Sequence, residues 1–113
     1  MTVEPLHRGV IVARIAPGTE QQVAAAFRRS DASDLPRLAR VARRGLYRLG
    51  DVYVHVVDTR ATFDDVVEDI HEHPLFKEVS DELSRYVTPY DPASWRSPRD
   101  ASAACFYEWH DDS

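Results

Sequence analysis

The stretch VARRGLYRLGDVYVHVVD, residues 41–58, contains two runs that favour β-strands, Val41–Leu49 and Val52–Asp58, separated by the dipeptide Gly50-Asp51. A glycine at the first central position of a two-residue connection is typical of a type II′ hairpin turn. The sequence therefore predicts an antiparallel hairpin in which Leu49 pairs with Val52.

This register assigns the side chains of the hairpin to two faces, because side chains alternate along a strand. One predicted face mixes aliphatic, aromatic and ionisable groups, a composition typical of a ligand-binding surface. The other face is mostly apolar and is expected to pack on helices. The first face consists of Arg44, Leu46, Arg48, Tyr53, His55 and Val57, and the second of Val41, Gly45, Tyr47, Leu49, Val52, Val54 and Val56.

Helices and further strands are predicted on both sides of the hairpin. Thr19 and Gln22 are spaced as a capping box that begins the first helix. The order β-α-β-β-α-β predicts an α+β, ferredoxin-like fold with helices on one face of the sheet. The predicted elements are a strand over Leu6–Ile15, a helix to about Arg29, a polar loop over Ser30–Pro36, a helix over Thr62–Glu72 broken by Pro74, a helical segment over Leu75–Tyr86, a proline-rich connection over Thr88–Arg99 and a last strand over Ala103–Trp109.

A four-stranded sheet with helices on one side leaves its other face uncovered, and such a face usually packs on a second subunit or a ligand. We therefore expect a homodimer of the dimeric α/β barrel type.

Size and composition set further bounds. With 113 residues, we expect one domain over residues 1–113 with flexible ends at about 1–5 and 110–113. The net charge of −5 argues against nucleic acid as the main partner. No apolar run is long enough to span a membrane, so we expect no membrane association. We expect a cytoplasmic location. The single cysteine, Cys105, lies in an apolar run and is expected to pack in the core.

Three ionisable residues are candidates for chemistry. His55 can accept and return a proton near neutral pH, Arg44 can stabilise an enolate or phenolate oxygen, and Asp31 can orient a histidine or act as a base. Each also has a purely structural explanation: His55 could be a packed histidine, Arg44 could form an ion pair, and Asp31 could be a turn residue. A serine-hydrolase arrangement with Ser30 is not favoured, because no Gly-x-Ser-x-Gly motif is present.

Other motifs carry weaker signals. The tract His71-Glu72-His73 does not have a recognised zinc spacing, and histidines at a helix end favour the helix dipole. Trp95, Tyr107 and Trp109 are candidates for lining an aromatic pocket, and core packing is the alternative for the last two. No glycine-rich phosphate loop is present.

Several segments together resemble the aromatic polyketide cyclases of the tetracenomycin type, found in type II polyketide synthase pathways. The resemblance spans residues 7–109, and three of its elements, HPLF, YVTPYDP and FYEW, are distinctive in this order. The segments are RGVIVAR (8–14), SDASDLP (30–36), RRGLYRLGDVYVHVVD (43–58), HPLFKEV (73–79), YVTPYDPASW (86–95) and CFYEW (105–109).

The resemblance implies an enzyme that cyclises a polyketide substrate, free or tethered to a carrier protein, by intramolecular aldol condensation, dehydration and aromatisation. It implies no cofactor, no metal and no covalent intermediate. Arg44, His55 and Asp31 match the family's functional positions, and Ser30, Tyr53, Arg48, Leu46 and Trp95 are expected to bind substrate. Ser30 stands where a tetracenomycin-type enzyme is expected to have histidine, which favours a mechanism with a single histidine.

Three alternatives remain open from the sequence. Dimeric ferredoxin-like domains also include cofactor-free monooxygenases of polycyclic aromatic substrates. The chain could also be a non-catalytic module that holds a polyketide intermediate, or a structural dimerisation protein.

Overall fold

A four-stranded antiparallel sheet with the strand order β2-β3-β1-β4 forms the centre of the protein. The computed structural model describes residues 6–94 and 98–111. The predicted α+β, ferredoxin-like architecture is confirmed. The elements are β1 (His7–Ile15), α1 (Glu20–Asp31), α2 (Leu35–Leu38), β2 (Val41–Leu49), β3 (Val52–Thr59), α3 (Phe63–Ile70), α4 (Pro74–Leu83), β4 (Val87–Pro89) and a 3-10 turn (Pro98–Ala101).

The β2–β3 hairpin has the predicted register. Leu49 pairs with Val52, Leu46 with His55, and Arg44 with Val57. Gly50 has a φ of 62°, a conformation that a residue with a Cβ adopts only with strain. The Gly-Asp turn therefore fixes which side chains share a face.

The assignment of the two hairpin faces to helices and solvent was wrong. Tyr53 and His55 are only 5% and 8% exposed, and they lie on the face that α1, α3 and α4 cover. Val52, Val54 and Val56 lie on the opposite face and remain half-buried. Alternation along a strand separates two sets of residues, but it does not determine which set faces the helices. The predicted ligand-binding face is therefore the inner face of the sheet.

A β-bulge interrupts the pairing near the start of β2. Val41 pairs with Thr59 and Arg43 pairs with Asp58, so Ala42 has no opposite residue. Because of the extra residue, Val41 lies on the inner face and packs against the core, as its set was expected to do, whereas Val52, Val54 and Val56 of that set lie on the opposite face. Arg43 stays on the outer face, and Arg44 follows on the inner face.

Side chains cap the N-termini of α3 and α4 but not that of α1. Thr62 accepts a hydrogen bond from the backbone N–H of Asp65 and caps α3. The predicted capping box at Thr19 is wrong: its hydroxyl donates backwards to the Ala16 carbonyl at 2.7 Å, and no side chain caps α1. His73 caps α4 by accepting from the N–H of Leu75.

The end of the chain departs most from prediction. The fourth strand is β4, which overlaps the start of the predicted proline-rich connection, and residues 103–109 form no strand. Ala103 donates one backbone hydrogen bond to Val10 beside β1, and the chain then continues as an extended arm. Phe106 is 98% exposed and Cys105 is also exposed, so the predicted core position of the cysteine is wrong.

Within the described ranges, no helix is long and apolar enough to cross a membrane. Residues 1–5 and 112–113, where flexible ends were predicted, lie outside those ranges. The cytoplasmic location and the single domain over residues 1–113 stay predictions.

Candidate active site

A large cavity lies between the inner face of the sheet and the helices. Its volume is about 1190 Å³, at or above the upper end of what small-molecule sites usually enclose. Most of its wall is apolar, and the polar side chains Arg44, Tyr53 and His55 lie on neighbouring strands of the inner face. A mostly apolar wall with a few polar groups is complementary to an apolar ligand that carries a few oxygen atoms.

Arg44 is the centre of the polar cluster. From one side of the guanidinium, Nη2 and Nε donate to the two carboxylate oxygens of Asp31 at 2.9 and 3.3 Å. From the other side, Nη1 lies 2.9 Å from Nε2 of His55. A guanidinium has no acceptor, so it must donate, and Nε2 of His55 is the acceptor. Two of the five N–H groups of Arg44 are left for a ligand.

This contact determines the form of His55. Because Nε2 accepts, the proton of the neutral imidazole is on Nδ1. Burial, and secondarily the nearby charge of Arg44, lower the pKa of His55 to about 3. His55 is therefore neutral near pH 7, with one N–H to donate and no free acceptor nitrogen.

Phe27, on α1, packs against both members of this pair. Its ring meets the His55 ring edge-on at 5.1 Å between centroids, and Cζ of Arg44 lies 4.8 Å from the Phe27 centroid. The helical spacing of Val23, Ala26 and Phe27 predicts an inner face for α1, but it does not distinguish a core ring from a ring at the site. Sequence analysis therefore missed Phe27 as a site residue.

Tyr53 lies two residues before His55 on β3 and lines the same cavity. The two rings are tilted, with 6.4 Å between centroids. Burial raises the pKa of the Tyr53 hydroxyl well above its ordinary value, although the Arg44 charge opposes the shift. The hydroxyl is therefore a neutral donor at any physiological pH.

The two predicted residues at the end of α1 have different positions. Ser30 lines the cavity, whereas the Asp31 side chain is 41% exposed and is not part of the cavity wall. Asp31 reaches the site only through Arg44, whose side chain is 15% exposed. Asp31 contacts the arginine, while sequence analysis considered it as a partner of the histidine.

The remaining predicted substrate-binding residues do not join this cluster. Arg48 forms an exposed ion pair with Glu20, with Nε 2.9 Å from Oε1, and it does not line the cavity. Leu46 packs on the adjacent apolar core without lining the cavity. Trp95 lies outside the described residues. Tyr107 lines the cavity, and Trp109 is an exposed residue of the terminal arm.

The histidine tract around the α3–α4 junction has local structural roles. The ring Nδ1 of His71 donates to the carbonyls of Val67 and Glu68 at 3.0 Å, at the end of α3. His73 caps α4. Among residues 6–94 and 98–111, no group of three or more His, Cys, Asp or Glu side chains is arranged to hold a metal ion.

A ferredoxin-like sheet whose inner face and helices line a mostly apolar cavity, with a partly buried arginine beside a buried histidine, defines the general class, a small α+β protein with a cavity of the kind that small-molecule sites use. The family of polyketide synthesis cyclases matches residues 7–110, and the chain belongs to this family. The resemblance inferred from the sequence motifs is thereby confirmed.

Individual relatives agree with this assignment. CurG, a polyketide synthase protein of Streptomyces cyaneus, is 43% identical over 107 residues, which cover 95% of this chain and all of CurG. The tetracenomycin F2 cyclase of Streptomyces glaucescens is 37% identical over 106 residues, 91% of this chain and 94% of its own. The solved structure of that cyclase, a type II polyketide cyclase, superposes with a TM-score of 0.80 at 36% identity and covers 92% of this chain and 97% of its own.

A more distant structure shares only the fold. A protein of Bordetella bronchiseptica described as an antibiotic biosynthesis monooxygenase superposes with a TM-score of 0.60 at 19% identity, over 74% of this chain and 87% of its own.

Proposed function

We propose that this protein is a cofactor-independent cyclase that closes a later ring of a type II polyketide intermediate by intramolecular aldol condensation, dehydration and aromatisation. The family and its relatives support the substrate class. The observation that carries the reaction type is the direct Arg44–His55 contact, 2.9 Å long, in the wall of a mostly apolar cavity.

The cavity accounts for most of the proposed effect. A flexible poly-β-ketone has many folded conformations, and an apolar enclosure that selects one of them brings a nucleophilic carbon close to the correct ketone. Such positioning alone can supply a large part of a rate enhancement, because the entropy loss is offset by binding.

The polar cluster supplies the rest. Arg44 stabilises the oxygen on which negative charge develops, and in a buried site this stabilisation is stronger than in water. Asp31 is a positioning residue that holds Arg44 through two hydrogen bonds. His55 contacts the reacting groups, and Ser30 and Tyr53 bind the substrate from the same cavity wall.

The proposal includes a homodimer. The outer face of the sheet carries half-buried valines from β3, and the terminal arm exposes the aromatic rings of Phe106, Tyr107 and Trp109. Apolar surface of this extent usually packs on a partner. Light scattering coupled to size exclusion tests this part: a mass of one chain across the concentration range rules the dimer out.

Reconstitution tests the function directly. Purified protein is added to a ketosynthase pair and a carrier protein that together make an uncyclised or partly cyclised polyketide, and products are followed by mass spectrometry. We expect a new product that has lost water relative to the substrate. Comparing free with carrier-bound substrate shows whether tethering is required.

Arg44→Gln and Arg48→Gln form a matched pair for this assay. Both arginines lie on β2 and on the same side of the sheet, but only Arg44 lines the cavity. We expect about 100-fold loss for Arg44→Gln, as for removal of an oxyanion donor, and little change for Arg48→Gln. Equal effects would refute the assigned role of Arg44, and unchanged product and rate in His55→Ala would refute that of His55.

The same reconstitution separates the alternatives. Oxygen consumption with an anthrone-type substrate would indicate a monooxygenase. Tight binding of the product without any effect on rate would indicate a non-catalytic polyketide-binding module.

A further inference from the structure

The cavity wall presents hydrogen-bond donors but no free base at its polar cluster. Asp31 is outside the wall and its two oxygens are engaged by Arg44. The only acceptor nitrogen of His55 is occupied by the same arginine. A carboxylate or imidazole positioned to remove a proton from carbon is therefore absent from the Arg44–Tyr53–His55 cluster.

Two donors of this cluster have no partner among the described residues. No buried side-chain nitrogen or oxygen in the described chain lacks a hydrogen-bond partner, and neither the Tyr53 hydroxyl nor Nδ1 of His55 forms a hydrogen bond with a described residue. Both atoms must therefore be accessible, and both side chains line the cavity. They are two residues apart on one strand, so they point to the same side of the sheet.

On the basis of the function proposed above, we propose that Tyr53 is a catalytic residue: its hydroxyl and the Nδ1–H of a neutral His55 together form a donor-only pocket for an oxyanion of the substrate. His55 in this pocket donates a hydrogen bond and does not remove a proton. Arg44 fixes the tautomer that places the donor N–H on the ring atom facing the ligand.

The ring-forming step balances without a protein base. The enol carbon of one β-diketone unit forms a bond to a ketone carbon, and the π electrons of that carbonyl move to its oxygen. The donor pocket stabilises the resulting oxyanion. The enol proton passes to this oxygen, directly or through water, and the hydroxyl then leaves with a neighbouring hydrogen as water. No electrons are exchanged with an oxidant.

A neutral histidine is a suitable electrophile in such a pocket. An uncharged imidazole can polarise a substrate carbonyl through its N–H when a lowered pKa keeps the ring from binding a second proton. The Nδ1–H of His55 meets this requirement, because Arg44 occupies the other ring nitrogen. Tyr53, with its raised pKa, likewise stays protonated while it donates.

A hydroxylated anthraquinone is a probe that does not depend on turnover. Its phenol and phenolate absorb at different wavelengths, so the pKa of the bound dye can be titrated. A donor-only pocket favours the phenolate, and we expect the pKa of the bound dye to fall by about one unit or more. Tyr53→Phe should reduce this shift, while Tyr90→Phe, on an exposed tyrosine outside the cavity wall, should leave it unchanged.

Kinetics give the second measurement. Tyr53→Phe should lower kcat by about 100-fold while KM changes little, because the phenyl ring still lines the cavity. His55→Asn retains an amide N–H near the position of Nδ1 and should keep more activity than His55→Leu. Nitrogen-15 NMR of His55 in the wild-type protein should show the Nδ1–H tautomer. This measurement does not depend on the folding of any variant.

The outcomes separate this inference from the proposed function. A lowered dye pKa in a protein that does not cyclise any polyketide would refute the function and keep the donor pocket. Four results would each overturn the donor pocket. The first is cyclisation by the wild type with an unchanged rate in Tyr53→Phe, and the second is an Nε2–H tautomer for His55. The others are a raised pKa of the bound dye and failure of the dye to bind.

Discussion

Replacing Phe27 with leucine tests whether one buried ring holds the polar cluster in place. The Phe27 ring contacts the His55 ring at 5.1 Å and the Arg44 guanidinium at 4.8 Å. Leucine keeps an apolar, branched side chain on α1 but removes both ring-specific contacts and leaves part of the volume unfilled.

Three contributions set the size of the effect. The aromatic pair contributes about 0.5–1.5 kcal/mol, the cation–π contact with a mostly desolvated Arg44 about 1 kcal/mol, and the unfilled volume about 1 kcal/mol. These contributions involve the same atoms and overlap. We therefore expect the free energy of unfolding to fall by about 2–3 kcal/mol and the Tm by roughly 10 °C.

Urea unfolding followed by circular dichroism measures this loss, at two protein concentrations because a dimer makes stability concentration-dependent. Tyr90→Leu is the matched control. Arg14 lies closer to the Tyr90 ring, at 4.4 Å, but Tyr90 is 49% exposed, so its loss should cost about 0.5 kcal/mol. Equal losses in the two variants, or a loss below about 1 kcal/mol for Phe27→Leu, would refute the importance of the buried ring.

Three further changes have defined outcomes. Burial and the Arg44 charge lower the pKa of His55 to about 3, so below the ordinary histidine pKa the unfolded chain binds a proton that the folded chain excludes. Acidification from about pH 6.5 toward pH 3 should reduce stability by at most about 1.4 kcal/mol per pH unit through this residue, and His55→Gln should flatten the slope of urea unfolding against pH. Hydrogen bonds of 2.8 and 3.0 Å from Arg8 lower the pKa of Asp58. The free energy of unfolding of Asp58→Asn should therefore be about 1 kcal/mol below that of the wild type at neutral pH. In the same urea assay this difference should vanish when acid protonates the wild-type carboxyl. Gly50→Ala forces a Cβ into a φ of 62° and should lower stability by about 1–2 kcal/mol in thermal unfolding; an unchanged Tm would contradict the strain attributed to this turn.

The hairpin shows which part of the fold is predictable from sequence. A Gly-Asp turn and a period of two determine the Leu49–Val52 register, because both are local properties. The direction of the two faces depends on where the helices pack, which is a tertiary property. The bulge that leaves Ala42 unpaired depends on the partner strand in the same way, and the sequence therefore did not predict that Val41 is separated from the rest of its set.

The terminal segment shows the limit of strand propensity. Residues 105–109 contain Phe, Tyr and Trp, which favour strands, but propensity leads to a strand only where an edge is available for pairing. The edge of β1 is already occupied by β4 over Ala13–Ile15, and near Ile11 by a single bridge to Ser102. The aromatic residues of the arm are therefore left exposed in the single chain.

The candidate site shows how contacts change the chemistry of residues that a sequence can identify. Residue types and register bring Arg44 and His55 onto one face, and free imidazole chemistry then suggests a base. The direct hydrogen bond removes that role, because a nitrogen that accepts from a guanidinium cannot also accept a proton from carbon. Asp31 balances the charge of Arg44 from the solvent side, so the positive end of this ion pair faces the cavity. The exposed carboxylate of Asp31, the partly buried guanidinium of Arg44 and the buried imidazole of His55 are therefore hydrogen-bonded in sequence. The imidazole is the member deepest in the protein, and its remaining ring nitrogen can only donate a hydrogen bond.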